Sequence, residues 1–530
     1  MISREYENIA GAGGVKDVCR QLSEVLAGND AYTVSVVLPR YGFVDAEAMG
    51  FTPVVIDNGG PGVIADRPFT HCFSVDMHYT DEERRETVAF WQKRIQKVNV
   101  FLVEADRFAE KLGVYTYTAE EEARTGWQKE GAGHFDYFAM NILLQKAALD
   151  FMLLTRTVPW VVHCQDGHAA LLPAMIREKE GYRHFFNTTG AVVTIHNAGT
   201  GYHQEIRDWA FAEAITGLPP RVIQANTLDW CFDPFVAASG YAVLNTVSEN
   251  YGRELQETQE DSRTGWLGHV LKERGVIIKG VTNGIDADAY NPADSGLPAV
   301  FDILAGELDG KQLCKDDMLR RVSQLGSWND IVQFGTLTCD SSMPLVTFIG
   351  RLTGQKGISL VLDTLVPLFT AADTVQLLVL GAGESDLEER LQYLTAHEVL
   401  QGRLCFLKGF DPAAANQVYA AGDFFLIPSW FEPCGLTDYI AQLFGNLPIV
   451  HHVGGLVKVV DQVTGFSYAT NSVQDLQQAV IKALRVYRQP EQMLAMQQAA
   501  VKKIVTLHTW ERAMEEYVLL YEKARAMALS

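Results

Sequence analysis

Short apolar runs rich in β-branched residues alternate with longer amphipathic stretches along most of this 530-residue chain. "YTVSVVLP" (32–39), "VPWVVHC" (158–164), "GAVVTIHN" (190–197), "YAVLNTVS" (241–248) and "VIIKGVTNG" (276–284) read as buried strands, each ending in a polar or glycine-containing loop. A second series follows: "PLVTFIGR" (344–351), "VQLLVLGAG" (375–383), "RLCFLKGF" (403–410), "DFFLIPS" (423–429) and "LPIVHHVGG" (447–455). Near-continuous apolar strands separated by helical patterns indicate parallel sheets covered on both faces. Between the two series, residues 305–326 read as a charged helical stretch. Residues 50–130, aromatic and charged, break the alternation and predict a helical insertion.

The fold class this pattern predicts is α/β, with two doubly wound Rossmann-like domains facing each other across a cleft. The expected boundaries are 1–281 for the first domain and 282–508 for the second. Residues 509–530 form a C-terminal helix, with Trp510, Met514, Tyr517, Val518 and Tyr521 at helical spacing, that packs back on the first domain. Chemistry is to be sought in the loops at the carboxyl ends of the strands, where such sheets bind ligands.

Composition narrows the function classes. A hydrophobic share of 48% with 21% charged residues belongs to a globular protein. The net charge of −21 argues against a nucleic-acid surface, so any phosphate-bearing ligand must be met by a few local cations in a cleft. Eight scattered cysteines without a C-x-x-C pair support neither a zinc site nor a disulfide framework. No stretch is expected to approach the roughly 18 apolar residues of a membrane span, and no signal-type leader is read, so a cytoplasmic protein without membrane partners is expected.

Four loops carry most of the candidate chemistry. "FIGRLTGQKG" (348–357) places Arg351 at a strand end and Lys356 on the following turn, a pair able to grip a diphosphate. "PSWFEPCGLTDY" (428–439) ends a strand and makes a tight turn. There the amides of Gly435, Leu436 and Thr437 can face a phosphate, while Glu432 accepts from neutral hydroxyls. "VVHCQDGHAALLP" (161–173) delivers His163, Asp166 and His168, and "TIHNAGTG" (194–201) delivers His196 and Asn197. A zinc reading of the histidines and Asp166 lacks the matching helix face and second-shell spacing, and hydroxyl recognition suits these residues better. "LGAGESD" (380–386) has Asp386 where a dinucleotide fingerprint needs its third glycine, and the Asp-x-Asp of "IDADAY" (285–290) reads as a turn.

"GAGGVKDV" (11–18) feeds an amphipathic helix and suits an anionic ligand, with Gly13 and Gly14 allowing close backbone approach. Such loops normally follow a strand, yet only Met1 and Ile2 precede the "SRE" leading into it. "MISRE" is expected to be the end of a central strand whose earlier residues lie upstream.

Taken in order, "VHCQDGHAALLP", "TIHN", "TNGID…YNP", "RLTGQKG" and "FEPCGLT" resemble the ADP-glucose-type bacterial glycogen synthases and plant starch synthases. These are retaining glycosyltransferases of the GT-B fold. The resemblance runs from Gly13 to Tyr521. It implies transfer of glucose from ADP-glucose to the 4-hydroxyl of an α-1,4-glucan, without a metal or other cofactor. By position, Arg351 and Lys356 would stabilise the leaving diphosphate and Glu432 would lie near the donor glucose. Cys434, Gly435, Leu436 and Thr437 would form the phosphate-facing turn, and Asp166 and His196 would line the sugar subsite. Asn283 would sit at the domain junction and Phe410 would stack on adenine.

Three departures stand out. Gly11 replaces a motif lysine, and Lys16 is expected to face elsewhere; Lys458 replaces an aspartate; and Gln165 and Gly167 flank Asp166 where the family often has His and Trp. Alternatives therefore remain: a GT-B transferase using another donor such as UDP-glucose, or a catalytically weak glucan-binding or regulatory relative.

Overall fold

The computed structural model describes every residue except 58, 294, 295, 329, 330 and 373. The chain divides into two compact units, one comprising Met1–Thr282 with Trp510–Ser530 and the other Asn283–Thr509.

In the first unit, parallel strands run in the order Lys279–Gly280, Val243–Thr246, Gly190–Ile195 and Val161–Gln165. Ile2 extends this sheet, bridging Cys164 on one side and Val37 on the other, both in parallel sense. Its amide donates to His163 O (2.9 Å), and the Ser3 amide donates to Val37 O (3.1 Å). Residues 1–3 are therefore the strand that joins the two halves of the sheet. Beyond them, Ser35–Pro39 pairs in parallel with Val98–Glu104.

The helical insertion expected over 50–130 is instead largely a β-meander. Gly60–Ile64, Arg67–Asp76, Arg85–Ile95 and Val98–Glu104 pair antiparallel in succession, and among the described residues of this segment only Asp106–Ala109 and Ala119–Thr125 are α-helical. Ala65 and Asp66 both have positive φ (48° and 60°), matching the turn geometry that twists with a two-residue hairpin. Arg85–Ile95 is buried on both faces only over residues 88–91 and is exposed at Arg85, Gln92 and Arg94, so charged and polar residues interrupt an apolar signal that buried parallel strands show undiluted.

The helix Tyr137–Leu154 corrects a second expectation, because by length and composition alone it could cross a membrane. Its apolar window is 72% buried within the fold, and Phe151 stacks on Phe90 of the meander at 4.1 Å between centroids. It is apolar all round because it is a core helix. The terminal helix Trp510–Leu529 lies on the parallel strands, with Tyr517, Leu520 and Tyr521 buried.

The second unit is one eight-stranded sheet in the order Ser327–Trp328, Ile331–Leu337, Arg403–Lys408, Gln376–Gly381, Leu345–Ile349, Phe424–Ile427, Leu447–His451, Phe466–Tyr468. All pairs from Arg403–Lys408 onward are parallel, and Ile331–Leu337 and Ser327–Trp328 add two antiparallel strands at one edge. Two buried clusters cover the two faces. One is formed with Ile358–Ala371 and Val473–Tyr487, the other with Asp309–Val322 and Pro412–Ala421. Lys315 on Asp309–Val322 is itself buried, its Nζ donating to Asp423 Oδ2 (2.7 Å) and Met343 O (2.8 Å).

Candidate active site

In the second unit, strand order reverses at Leu345–Ile349, flanked by Gln376–Gly381 on one side and Phe424–Ile427 on the other. A crevice beyond the carboxyl ends at such a reversal is where doubly wound sheets bind ligands. Arg351 follows the first of these strands, and Ser429 to Glu432 follow the third.

The two loops are locked together. Gly357 has φ 71°, and a Cβ there would sit 2.0 Å from Pro428 O, so only glycine permits the approach. Gln355 Nε2 donates to Phe431 O (3.2 Å), and the Trp430 amide donates to Gln355 O (3.0 Å). This brings Lys356 Nζ to 2.6 Å from Glu432 Oε2, which also accepts from Ser429 Oγ at 2.9 Å. Burial alone would raise the Glu432 carboxyl, but the Lys356 ammonium and the Ser429 hydroxyl outweigh it and hold the group below its ordinary value. Among the described residues no donor reaches Glu432 Oε1, and none bonds the exposed Arg351 guanidinium. The site thus keeps one carboxylate oxygen and one full guanidinium fork for a ligand.

The turn 432–437 is held from beneath by Lys458. Its Nζ donates to the carbonyls of Cys434, Gly435 (2.7 Å) and Gly455 (3.2 Å) and lies 2.9 Å from Asp438 Oδ1. Burial pushes the Asp438 carboxyl up to about 6 and the Cys434 thiol up to about 11. Asn283 is buried nearby: Tyr439 Oη donates to its carbonyl (3.4 Å), while its side-chain Oδ1 has no partner among the described residues. Thr353 Oγ1 is buried and likewise unpartnered. Phe410, at the carboxyl end of Arg403–Lys408, is 66% exposed and offers a free ring face.

In the first unit, Asp166 leaves the carboxyl end of Val161–Gln165 with φ 60°, a strained value for a non-glycine residue. Its Oδ1 accepts from the His196 amide (3.1 Å), and it interacts with the Asn197 amide. Burial pushes its carboxyl up to about 8 despite these amides. His196 Nε2 bonds Gln165 Oε1 (2.7 Å), and burial lowers the ring to about 3, so it is neutral. Asn197 Oδ1 is taken by the Gly199 amide (2.8 Å).

Other histidines are committed elsewhere. His163 bonds Tyr521 Oη (3.0 Å) and Thr194 Oγ1 (2.7 Å), which turns it towards the terminal helix. His168 Nε2 accepts the Arg4 amide (3.1 Å), so that nitrogen is not available to a sugar.

The glycine loop also differs from expectation. Ala12 and Gly13 donate their amides to Glu5 Oε2 (2.7 and 3.0 Å), so an internal carboxylate occupies the anion position those amides were expected to offer. Gly14 caps the following helix without a side-chain partner. The Lys16 stem packs on Gly11: a Cβ there would lie 2.3 Å from Lys16 Cδ, so the stem fills the space a side chain at position 11 would take, while its Nζ pairs with Asp17 Oδ1 (2.7 Å). Glu5, Ser429 and Thr353 are thus site residues that the motifs did not single out. The sequence marks Glu5 only as one of two acids, with Glu7, upstream of the glycine loop.

Comparison with known proteins identifies the family. Residues 1–272 match the family model of the starch synthase catalytic domain, and residues 343–485 match that of glycosyl transferases group 1. The glycogen synthase of Syntrophotalea carbinolica is 31% identical over 453 residues, covering 83% of this chain and 84% of its own. That of Anaeromyxobacter dehalogenans is 30% identical over 521 residues, covering 96% and 95%. The solved catalytic domain of starch synthase IV from Arabidopsis thaliana, bound to ADP and acarbose, aligns with TM-score 0.76 at 22% identity, over 99% of this chain and 98% of that one. Sucrose-phosphate synthase from Thermosynechococcus elongatus aligns with TM-score 0.56 at 16% identity, over 99% and 98%, and both likenesses bear on the fold, which is GT-B. The chain belongs to the starch synthase and bacterial glycogen synthase family and is a hexosyl-transferring glycosyltransferase.

Proposed function

We propose that this synthase takes its glucose from ADP-glucose and adds it, with retained configuration, to the non-reducing 4-hydroxyl of an α-1,4-glucan. The observation that carries this reading is the Lys356–Glu432–Ser429 cluster beside an unpaired Arg351, at the strand-order reversal of the second unit. Leaving of the diphosphate builds negative charge on its bridging oxygen. Arg351 and Lys356, fixed in advance, stabilise that charge without reorganisation. Lys356 exchanges part of its contact with Glu432 for the phosphate, and the free Glu432 Oε1 accepts from a hydroxyl of the donor glucose.

Thr353 Oγ1 and Asn283 Oδ1, buried and unpartnered, are suited to polar contacts with the donor, because each regains a hydrogen bond on binding. The Phe410 face suits a purine ring. In the first unit, Asp166 is protonated near neutral pH and can donate to a sugar hydroxyl, while the neutral His196 offers its remaining ring nitrogen. No carboxylate nucleophile is assigned, so the acceptor hydroxyl attacks from the face the diphosphate leaves. Arg and Lys do the charge work that a divalent metal does in other transferases, and no cofactor is invoked.

The test is release of nucleoside diphosphate from ADP-glucose or UDP-glucose in the presence of glycogen. ADP release well above UDP release supports the reading. Preference for UDP-glucose would assign the other donor, and no release with either would leave a glucan-binding role.

A further inference from the structure

Lys458 stands out as a buried cation with no solvent role. It is 8% exposed at the side chain, and its ammonium meets the carbonyl oxygens of Cys434, Gly435 and Gly455 and the Asp438 carboxylate. With three hydrogens and three carbonyl acceptors, the ammonium has no hydrogen left for a ligand. It therefore acts on a ligand not by direct contact but through the backbone it holds, with its charge adding to the potential there.

A trans peptide plane points its C=O and N–H in opposite directions. Drawing Cys434 O and Gly435 O towards Lys458 therefore turns the next amides, those of Gly435 and Leu436, to the opposite side. Among the described residues no acceptor takes either of these N–H groups. Two successive amides held facing one way form a small anion-binding concavity. A cation buried under the turn adds to the positive potential there, and Asp438 balances its charge so that burial is tolerated.

We propose that Lys458 is a positioning residue that aims the Gly435 and Leu436 amides at the donor's diphosphate. The proposal rests on the donor reading given above. It assigns a function to a lysine where the resemblance leads one to expect an aspartate, and it makes the carbonyl contacts, rather than the ion pair, the functional ones.

ADP binding measured by calorimetry on Lys458→Met, Lys458→Gln and Asp438→Asn, with thermal unfolding of each, tests this. Lys458→Met should weaken ADP binding by about tenfold or more and raise the KM for ADP-glucose in step, leaving the KM for glycogen within about twofold. Lys458→Gln, which can still donate to carbonyls, should recover part of the loss. Asp438→Asn keeps the carbonyl contacts and should bind ADP within about threefold of the parent. A folded Lys458→Met that binds ADP like the parent overturns the proposal. If Lys458→Met does not fold, the other two decide, and equal losses in Asp438→Asn and Lys458→Gln overturn it. A parent protein that binds no ADP overturns the donor reading and this inference with it. Normal parent binding with unaffected variants overturns this inference alone.

Discussion

Lys356 Nζ lies 2.6 Å from Glu432 Oε2, so the cation assigned to the leaving group is paired with the carboxylate assigned to the sugar. The pair is partly buried, with side-chain exposures of 24% and 11%, and Ser429 fixes its geometry. Removing the lysine takes away transition-state charge stabilisation and strands the carboxylate. Lys356→Ala should lower kcat by about a hundredfold to a thousandfold, as lost oxyanion donors do, with little change in the KM for glycogen. Steady-state kinetics of the variant checks this, and full turnover would remove Lys356 from the mechanism.

Asp166 predicts a pH dependence of stability. Its folded carboxyl titrates near about 8, raised by burial above the ordinary 3.8, with Glu5 raising it further and His203 and the amides of His196 and Asn197 opposing. Between those values the native state binds a proton that the unfolded chain has released. Its contribution is fully present below the unfolded value and is lost as pH rises through the folded one. Asp166→Asn removes the titration. The parent Tm should therefore fall relative to that of Asp166→Asn as pH rises from about 5 to about 9. Parallel curves for the two proteins would show that Asp166 is not held protonated.

Lys16 predicts a reciprocal substitution. Its stem covers Gly11, and its Nζ pairs with Asp17 Oδ1 at 2.7 Å, so it is the cation carried at the glycine loop. Lys16→Ala should reduce turnover by about tenfold. Gly11→Lys added to Lys16→Ala should regain activity, because the lysine stem is restored to the emptied space. Gly11→Lys alone crowds Lys16 and should not improve on the parent. Recovery by the double variant is the informative rate, and its absence would separate Lys16 from the chemistry.

Lys315 and Asp423 tie the helix Asp309–Val322 to the sheet, with the lysine 2% and the aspartate 12% exposed at the side chain. Asp423 Oδ2 also accepts the Leu345 amide at 2.8 Å, at the start of the strand that precedes Arg351. Asp423→Ala leaves a buried ammonium and an unpaired amide and should cost about 3–5 kcal/mol of stability, read as a drop in denaturation midpoint. Lys315→Met should cost less in apolar packing terms yet still strand the carboxylate. A midpoint unchanged in both would show the pair to be solvent-compensated.

The parallel strands of both units were legible because strands buried on both faces are written as continuous apolar runs, as in Gln376–Gly381 and Gly190–Ile195. The meander was not, because its strands carry exposed polar residues towards their ends, as Arg85–Ile95 does at Arg85, Gln92 and Arg94, and their pairing depends on turns such as Ala65–Asp66 rather than on local composition. The loops carrying Arg351, Lys356 and Glu432 were recognisable from motif and strand position. What those side chains do to one another was not, because the Lys356–Glu432 contact depends on Gly357 fitting against Pro428 across 71 residues of sequence. For the same reason Glu5 and Lys458, which act on backbone groups brought near only by folding, carried no readable signal of their roles.

Donor and linkage are read together by supplying ADP-glucose with radiolabelled glucose to the protein with glycogen, then digesting the product with β-amylase. Label should enter glycogen and be released as maltose, which requires α-1,4 linkage at non-reducing ends, and that incorporation should be lost in Arg351→Ala and Lys356→Ala. Absence of label in the glycogen, or incorporation undiminished in both variants, would contradict the proposed function.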